Sequence, residues 1–298
     1  MSQDLPVTLV RPEEVPPEGE YGGFPFDLYE RKCLAQGDSW FSIGALPPPL
    51  TSNVVSELRL ARATALVNCG RPGKVLQHMN DTMREWWFVN LLAGRIAHTW
   101  DAILISGGGN DLIDAAQVAP QHPPSKRLLL TPAERPASPA GGDDYISAAG
   151  WRTFEAYLRP VFDALVRLRD KGINRRRPML FHTYAPTTPR PAGAGMGIGP
   201  WLEPSMRRFQ VPEGDWRAVS NALMDRLADL LQRAIAQHLQ SDPAANLHLV
   251  DTRVAPLVQA HTGDTGSAGD FVNEIHLTRG GYRKVAAVWQ RALDPILA

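Results

Sequence analysis

Short apolar segments alternate with longer amphipathic segments from Lys32 onward, and this alternation leaves few architectures open to the chain. The short segments are mostly apolar, as strands buried on both faces of a sheet are, and they span residues 32–36, 64–68, 101–106, 179–184 and 247–251. The longer segments have apolar residues at helical spacing and span 56–63, 75–96, 151–170, 216–239 and 280–297. The pattern predicts an α/β fold of three layers, with helices on both faces of a central parallel sheet of about five strands.

The pattern also predicts one domain over residues 31–298, preceded by an irregular arm over 1–30 that contains Pro, Glu and Gly without periodicity. Two Pro- and Gly-rich loops, near 112–150 and 185–213, each begin after a predicted strand. Because ligands of open α/β sheets bind beyond the carboxyl ends of the strands, these loops are candidate lids or substrate walls. The alternative is that they are solvated connections without a role in binding.

Charge and cysteine content narrow the classes of function. The chain has 31 Lys plus Arg and 31 Asp plus Glu. It therefore lacks the excess of positive charge that would favour a nucleic-acid partner. Cys33 and Cys69 lie in or beside apolar segments and are expected to be buried thiols, with no disulfide framework. No apolar run is long enough for a transmembrane segment, and no secretory signal is visible. We therefore expect a cytoplasmic protein without a polyanionic partner.

The stretch "GDS" directly follows the first predicted strand and places Ser39 at the start of the next segment. Ser39 is either a nucleophile or a polar residue that caps a helix. A serine hydroxyl is a weak nucleophile until a neighbouring base removes its proton, and the oxyanion that forms requires hydrogen-bond donors. The nucleophile interpretation therefore requires a base and donors elsewhere in the chain.

Three later segments contain such residues. Gly73 in "VNCGRPGKV" follows the second strand, where it either exposes a backbone N–H or only permits a turn. Asn110 in "SGGGND" follows the third strand, a pattern that also fits a nucleotide-binding turn or a capped helix start. His276 in "NEIHLT" lies in a loop before the last helix. His182 lies within a predicted strand and is expected to be a core residue.

The blocks GDS, Gly, GGND and NEIH, in this order from Lys32 almost to the C-terminus, resemble the SGNH hydrolases, or GDSL esterases and lipases. The resemblance implies a flavodoxin-like fold. It implies Ser39 as nucleophile, His276 as general base, and an oxyanion hole formed by Ser39, Gly73 and Asn110. The expected activity is hydrolysis of a carboxylic ester through an acyl-enzyme, with no metal ion and no cofactor. The same site is compatible with a deacetylase or thioesterase, and an inactive binding module of the same fold is a further alternative.

The sequence departs from the family pattern at two positions. Trp40 replaces the Leu of GDSL; it and Phe41 either line an acyl pocket or belong to the core. The residue three before His276, where the family usually has Asp, is Asn273. An amide oxygen still accepts from the imidazole N–H, but it stabilises the imidazolium less than a carboxylate does. Asn273 is the expected third catalytic residue, with Glu274 next; Asp270 and a backbone carbonyl are further alternatives.

Arg190 is a further candidate for substrate binding. Arg190 follows the fourth predicted strand, where it is expected either to meet an acidic group of a substrate or, more readily, to bind loop carbonyls at the surface.

Overall fold

The computed structural model describes residues 4–15, 17, 23–42 and 52–298, and a six-stranded sheet lies at the centre of this part of the chain. Its strands are β2 (Thr8–Val10), β3 (Arg31–Gly37), β5 (Thr64–Asn68), β6 (Ala102–Ser106), β7 (Met179–His182) and β8 (Leu247–Val250). Two further short strands, β1 (Leu5–Pro6) and β4 (Arg59–Leu60), pair antiparallel with each other. The predicted strands are confirmed as strands, with small differences at their ends.

The strand order is β2-β5-β3-β6-β7-β8, and every pairing is parallel. Without the edge strand β2, this is the flavodoxin-like order, in which the chain moves to one side of the first strand and then to the other. Here β3 lies between β5 and β6, with Ala35 opposite both Asn68 and Leu104. The loops that follow β3, β5 and β6 therefore meet at the carboxyl ends of these three parallel strands. Ser39, Gly73 and Asn110 are located in these loops or just after them.

The helices cover both faces of the sheet. They are α1 (Ser39–Ser42), α2 (Trp86–Ala93), α3 (Gly109–Ala116), α4 (Ala148–Asp170), α5 (Glu203–Arg208), α6 (Trp216–Ser241) and α7 (Arg279–Leu293). Successive side chains of a strand point to opposite faces. Phe181 packs on Phe162 of α4, and the next residue, His182, packs on Trp289 of α7. Helices α4 and α7 thus lie on opposite faces, which confirms the three-layer α/β/α prediction.

The helix predicted over 56–63 is wrong, and the helix predicted over 75–96 is wrong in part. The segment 56–63 forms a short 3-10 turn and then β4, because Leu58 and Leu60 are buried in alternation while the backbone pairs with β1. Within 75–96, the only α-helix is α2; the residues before it form turns, in which Asp81 Oδ1 accepts from the Met83 amide at 2.9 Å. Asp side chains bind nearby backbone amides in this way and so compete with a helix.

The arm expected to be irregular contributes β2 to the edge of the main sheet, because Thr8–Val10 pair in parallel with residues 65–67. Residues 1–3, 16 and 18–22 of the arm lie outside the described residues. The division of the chain at residue 30, and a lid function for the two long loops, remain predictions. Among the described helices, none has the length and apolar character needed to cross a membrane.

Candidate active site

Ser39 is the first residue of α1, and only Asp38 separates it from the carboxyl end of β3. The turn is tight: a Cβ at Gly37 would lie 2.7 Å from Ser106 Cβ, so only glycine fits between β3 and β6 at this point. Asp38 then caps the helix, since its Oδ1 accepts from the Trp40 amide at 3.0 Å. The Ser39 N–H has no acceptor within the helix because it belongs to the first turn. The Ser39 hydroxyl and this N–H are therefore held at the carboxyl end of β3.

His276 reaches Ser39 from the loop before α7. Its Nε2 lies 2.8 Å from Ser39 Oγ, and its Nδ1 lies 3.1 Å from Asn273 Oδ1. Asn273 Oδ1 also accepts from the backbone amides of Ile275 and His276, at 3.1 and 2.8 Å. Because an acceptor faces Nδ1, the ring proton lies on Nδ1 and Nε2 is free to accept the Ser39 proton. In this geometry the imidazole is placed to take a proton from the Ser39 hydroxyl, and the amide of Asn273 lies on the other side of the ring.

The ring of His276 is in an environment that keeps it neutral. Its side chain is nearly buried, and burial lowers the pKa of His276 to about 4. Neither hydrogen-bonding partner of the ring is a carboxylate. At neutral pH the imidazole is therefore unprotonated, as a general base must be.

The two acidic alternatives to Asn273 bind elsewhere. The carboxylate of Glu274 accepts from the backbone amides of Leu202 and Glu203, at 2.8 and 2.7 Å, and from those of Trp201 and Arg190. Burial raises the pKa of Glu274 to about 7, and these amide donors oppose the shift. Asp270 accepts from the Val258 amide at 2.6 Å and from Lys284 Nζ at 2.7 Å. Of the three side chains, Asn273 alone contacts the ring.

Loop 185–213 holds the histidine loop in place. The bonds to Glu274 are part of this contact, and Arg190 adds to it from a fully buried position. The guanidinium donates to the carbonyl oxygens of Asn273 at 2.8 Å, Gly266 at 2.5 Å and Asp264 at 3.1 Å. The expectation of a surface or substrate-binding arginine is therefore wrong: Arg190 does bind loop carbonyls, but in the interior. Trp201, for which the sequence contained no signal, packs edge-on against His276 at 5.2 Å between ring centroids.

Asn110 is brought to the same edge by α3. Gly108, with φ of 100°, makes the turn out of β6, and a Cβ at Gly109 would lie 2.8 Å from the Tyr184 ring. One hydrogen of the Asn110 amide is donated to the carbonyl oxygen of Lys74 at 2.9 Å, so the other is available for a ligand. Gly73, with φ of 72°, directly precedes Lys74. No backbone hydrogen bond from the Gly73 N–H occurs within the described residues.

A small cavity of about 30 Å³ opens beside Ser39 and Asn110. Its walls are largely apolar and include Trp40, Ile113, Met224, Tyr184 and Ile275. A water molecule needs about 10–15 Å³ of such space, so the cavity holds roughly two non-hydrogen atoms. Trp40 thus lines the candidate site, whereas Phe41 is fully buried and stacks on His182. Gly73 is not part of the cavity wall.

A buried polar network lies behind Ser39. Asp38 accepts from Ser106 Oγ at 2.8 Å and from the Tyr184 hydroxyl, and burial raises the pKa of Asp38 to about 6. His182 Nε2 is 2.8 Å from Ser106 Oγ, and burial lowers the pKa of His182 to about 3. His182 is therefore neutral and lies in the core, as predicted, but its Nδ1 has no hydrogen-bond partner within the described residues. Within the described residues, no cluster of three or more His, Cys, Asp or Glu is placed to hold a metal ion.

Comparisons with known proteins give distant similarities. No family model matches the chain, and no curated protein does. Among solved structures, an extracellular lipase from Streptomyces rimosus is 14% identical, with 88% of this chain and 99% of that chain covered at a TM-score of 0.49. A phospholipase A1 from Streptomyces albidoflavus is also 14% identical, with 86% and 98% covered at a TM-score of 0.45. A catalytic mutant of an acetylxylan esterase from Geobacillus stearothermophilus is 14% identical, with 88% and 93% covered at 0.44.

At these identities the similarities assign no activity to the chain. The class of protein is defined by the fold and the site themselves: a flavodoxin-like α/β protein with a serine and a histidine in hydrogen-bond contact at the carboxyl edge of the sheet.

Proposed function

We propose that the chain is a serine hydrolase of the SGNH type that cleaves carboxylic esters. The observation that carries the proposal is the 2.8 Å contact between Ser39 Oγ and His276 Nε2, across 237 positions of sequence, with Asn273 Oδ1 on the other side of the ring. A purely structural role of His276 in the core would not require a contact with a serine that lines a cavity. The order of the SGNH-like blocks in the chain supports the same assignment.

The proposed reaction begins with attack of Ser39 Oγ on the acyl carbon, as its proton passes to His276 Nε2. The N–H groups of Ser39 and Gly73 and the Asn110 amide donate to the oxyanion. When the tetrahedral intermediate collapses, the bond to the alcohol breaks and the alcohol leaves with the proton from His276. Water then attacks the acyl-enzyme, His276 takes its proton and returns it to Ser39 Oγ, and the carboxylic acid is released.

The third position gives this site a specific property. Asn273 fixes the ring and its tautomer, but an amide provides no full negative charge to oppose the imidazolium that forms in the transition state. The proposed enzyme therefore uses a base with a low pKa, and it is active at lower pH than a carboxylate-supported site.

The cavity beside Ser39 supports a short acyl group. With room for roughly two non-hydrogen atoms, it fits an acetyl group better than a long chain. Acetyl ester hydrolysis, including deacetylation of a larger alcohol, is the preferred form of the proposal; a thioester uses the same machinery. The proposal includes a cytoplasmic location, which the two buried free cysteines, Cys33 and Cys69, support.

The second candidate function is an inactive binding module of the same fold. The observation that favours it is the amide at Asn273, where a carboxylate would support the base better. The complete Ser39–His276 contact favours an enzyme instead.

Hydrolysis of p-nitrophenyl acetate and p-nitrophenyl octanoate separates these candidates. We expect turnover of the acetate, a much smaller kcat/KM for the octanoate, and loss of both in the Ser39→Ala variant. Ser241→Ala is the matched control, because Ser241 is exposed at the end of α6 and bonds only to the Gln237 carbonyl. Equal rates in Ser39→Ala and Ser241→Ala would exclude the proposed hydrolase, and a preference for octanoate would exclude the short-acyl form.

A further inference from the structure

A buried lysine directly follows Gly73 in the chain. Lys74 Nζ lies 2.5 Å from Glu85 Oε2, 2.8 Å from Gln36 Oε1 and 2.9 Å from the carbonyl oxygen of Cys69. The side chain of Lys74 is 5% exposed and that of Glu85 is 9% exposed. Charged groups buried to this extent are costly unless they are paired and hydrogen-bonded, so this pair requires one defined geometry.

The partners of Lys74 belong to three different parts of the site. Gln36 is near the end of β3, and its side chain also accepts from the Gly37 amide at 3.0 Å and donates to Glu85 at 2.9 Å. Cys69 begins the loop after β5, and Glu85 precedes α2. Gln36, Lys74 and Glu85, which we call the Lys74 cluster, therefore join the nucleophile turn, the Gly73 loop and α2 beneath the surface.

The backbone of Lys74 continues this connection to the proposed oxyanion donors. Its carbonyl oxygen accepts from Asn110 Nδ2 at 2.9 Å, and its amide follows Gly73. Gly73 itself is exposed, and no atom lies within 4 Å of the place its Cβ would occupy. Nothing therefore packs on the Cβ side of Gly73, and the next residue along the chain, Lys74, has a buried ammonium that is held by three partners.

We propose that Lys74 is a positioning residue for the oxyanion hole. Its buried ammonium fixes the backbone of residues 73 and 74, so that the Gly73 N–H and the free hydrogen of the Asn110 amide stay directed to the same point beside Ser39. Lys74 does not touch the substrate in this arrangement. The inference rests on the proposed function, and it assigns a role to a residue that the SGNH-like blocks do not include.

The kinetic test uses the paired variant Lys74→Met/Glu85→Gln, because removal of Lys74 alone would leave a buried unpaired carboxylate. We expect kcat for p-nitrophenyl acetate to fall by about tenfold or more, with little change in KM, since misplaced donors lose stabilisation of the transition state. The matched control is Arg169→Met/Asp170→Asn, which removes a 2.9 Å ion pair with a buried arginine at the end of α4, outside both long loops. The control is expected to lose a similar amount of thermal stability and to keep its kcat.

A double-mutant cycle separates positioning from general destabilisation. In the wild-type background, Asn110→Ala is expected to lower kcat by about 10²-fold or more. In the Lys74→Met/Glu85→Gln background the same change is expected to cost much less, because the amide is already displaced. Equal factors in the two backgrounds would contradict the positioning role.

A spectroscopic readout keeps this inference distinct from the proposed activity. In ¹H–¹⁵N spectra, the side-chain amide pair that disappears in Asn110→Ala is expected to shift in Lys74→Met/Glu85→Gln and to stay in place in the control. If the wild-type protein does not hydrolyse esters, the proposed function fails, and this shift still tests whether Lys74 positions Asn110. An unchanged Asn110 signal in the paired variant would overturn the inference.

Discussion

Replacement of Asn273 by Asp places a carboxylate where the structure has an amide. Asn273 Oδ1 is 3.1 Å from His276 Nδ1, and two backbone amides also donate to it. Asp has the same shape as Asn, so the new carboxylate keeps all three donors. The substitution therefore changes the charge beside the ring with little change in packing.

The expected size of the effect follows from this contact. Burial lowers the pKa of His276 to about 4 in the wild-type protein. An opposite charge in direct contact shifts a pKa by about 1–3 units, so the pKa of His276 in the variant rises by that amount. With about 1.4 kcal/mol for each unit, the imidazolium becomes more stable by about 1.4–4 kcal/mol. Because the imidazolium forms in the transition state, we expect at least about a tenfold increase in kcat/KM above neutral pH.

The assay is the pH dependence of kcat/KM for p-nitrophenyl acetate. A protonated ring cannot accept the Ser39 proton, so wild-type activity is expected to be lost as pH falls through about 4. In Asn273→Asp this loss is expected at a pH higher by about 1–3 units, so the variant is faster above neutral pH and loses its activity earlier on acidification. Ser267→Asp is the control, since it adds the same charge to an exposed position of the same loop. The fall of kcat/KM at acid pH is called the acid limb. If both the acid limb and the value of kcat/KM above neutral pH stayed as in the wild-type protein, the role of residue 273 would be refuted.

Three further variants test other parts of the site. Asn110→Ala is expected to lower kcat for p-nitrophenyl acetate by about 10²–10³-fold with KM nearly unchanged; a change confined to KM would contradict its role as an oxyanion donor. Glu274→Gln places a side-chain N–H opposite backbone N–H donors. We expect it to lower the free energy of unfolding by about 1–3 kcal/mol in urea titrations, and to leave the acid limb of kcat/KM unchanged. A shifted limb would instead make Glu274 the third residue. Tyr184→Phe removes a donor to the buried Asp38 carboxylate, and we expect a loss of about 1–3 kcal/mol by the same titration; no loss would show that Asp38 does not depend on this bond.

Five of the six strands of the main sheet were predictable because they are local, continuous apolar segments, whereas β2, with three residues in the arm, was not predicted. Residues 64–68 form β5 with the predicted ends, and the long helices α4 and α6 follow their apolar periodicity. The segment 75–96 was less predictable, since its apolar residues have helical spacing while Asn80 and Asp81 favour turns. Polar side chains that bind nearby backbone amides compete with a helix, and the spacing of the apolar residues does not reveal this competition.

The candidate site was predictable as residue types in order, but not as a set of contacts. Ser39, Asn110 and His276 each lie next to a strand end or before a helix, so their approach follows from the topology. The positions of Glu274 and Arg190 depend on how loop 185–213 packs on the histidine loop, over more than 70 positions of sequence. Lys74 is similar: its partners come from β3 and from the start of α2, and its burial follows only from their packing.

The central claim is that Ser39 is a nucleophile activated by His276. Its most direct test is the mass of the protein and of its peptides after reaction with a fluorophosphonate. We predict one adduct per chain, on the peptide that contains Ser39, absent in Ser39→Ala and formed much more slowly in His276→Ala. A folded wild-type protein that forms no adduct, or that forms it on another residue, would contradict the account.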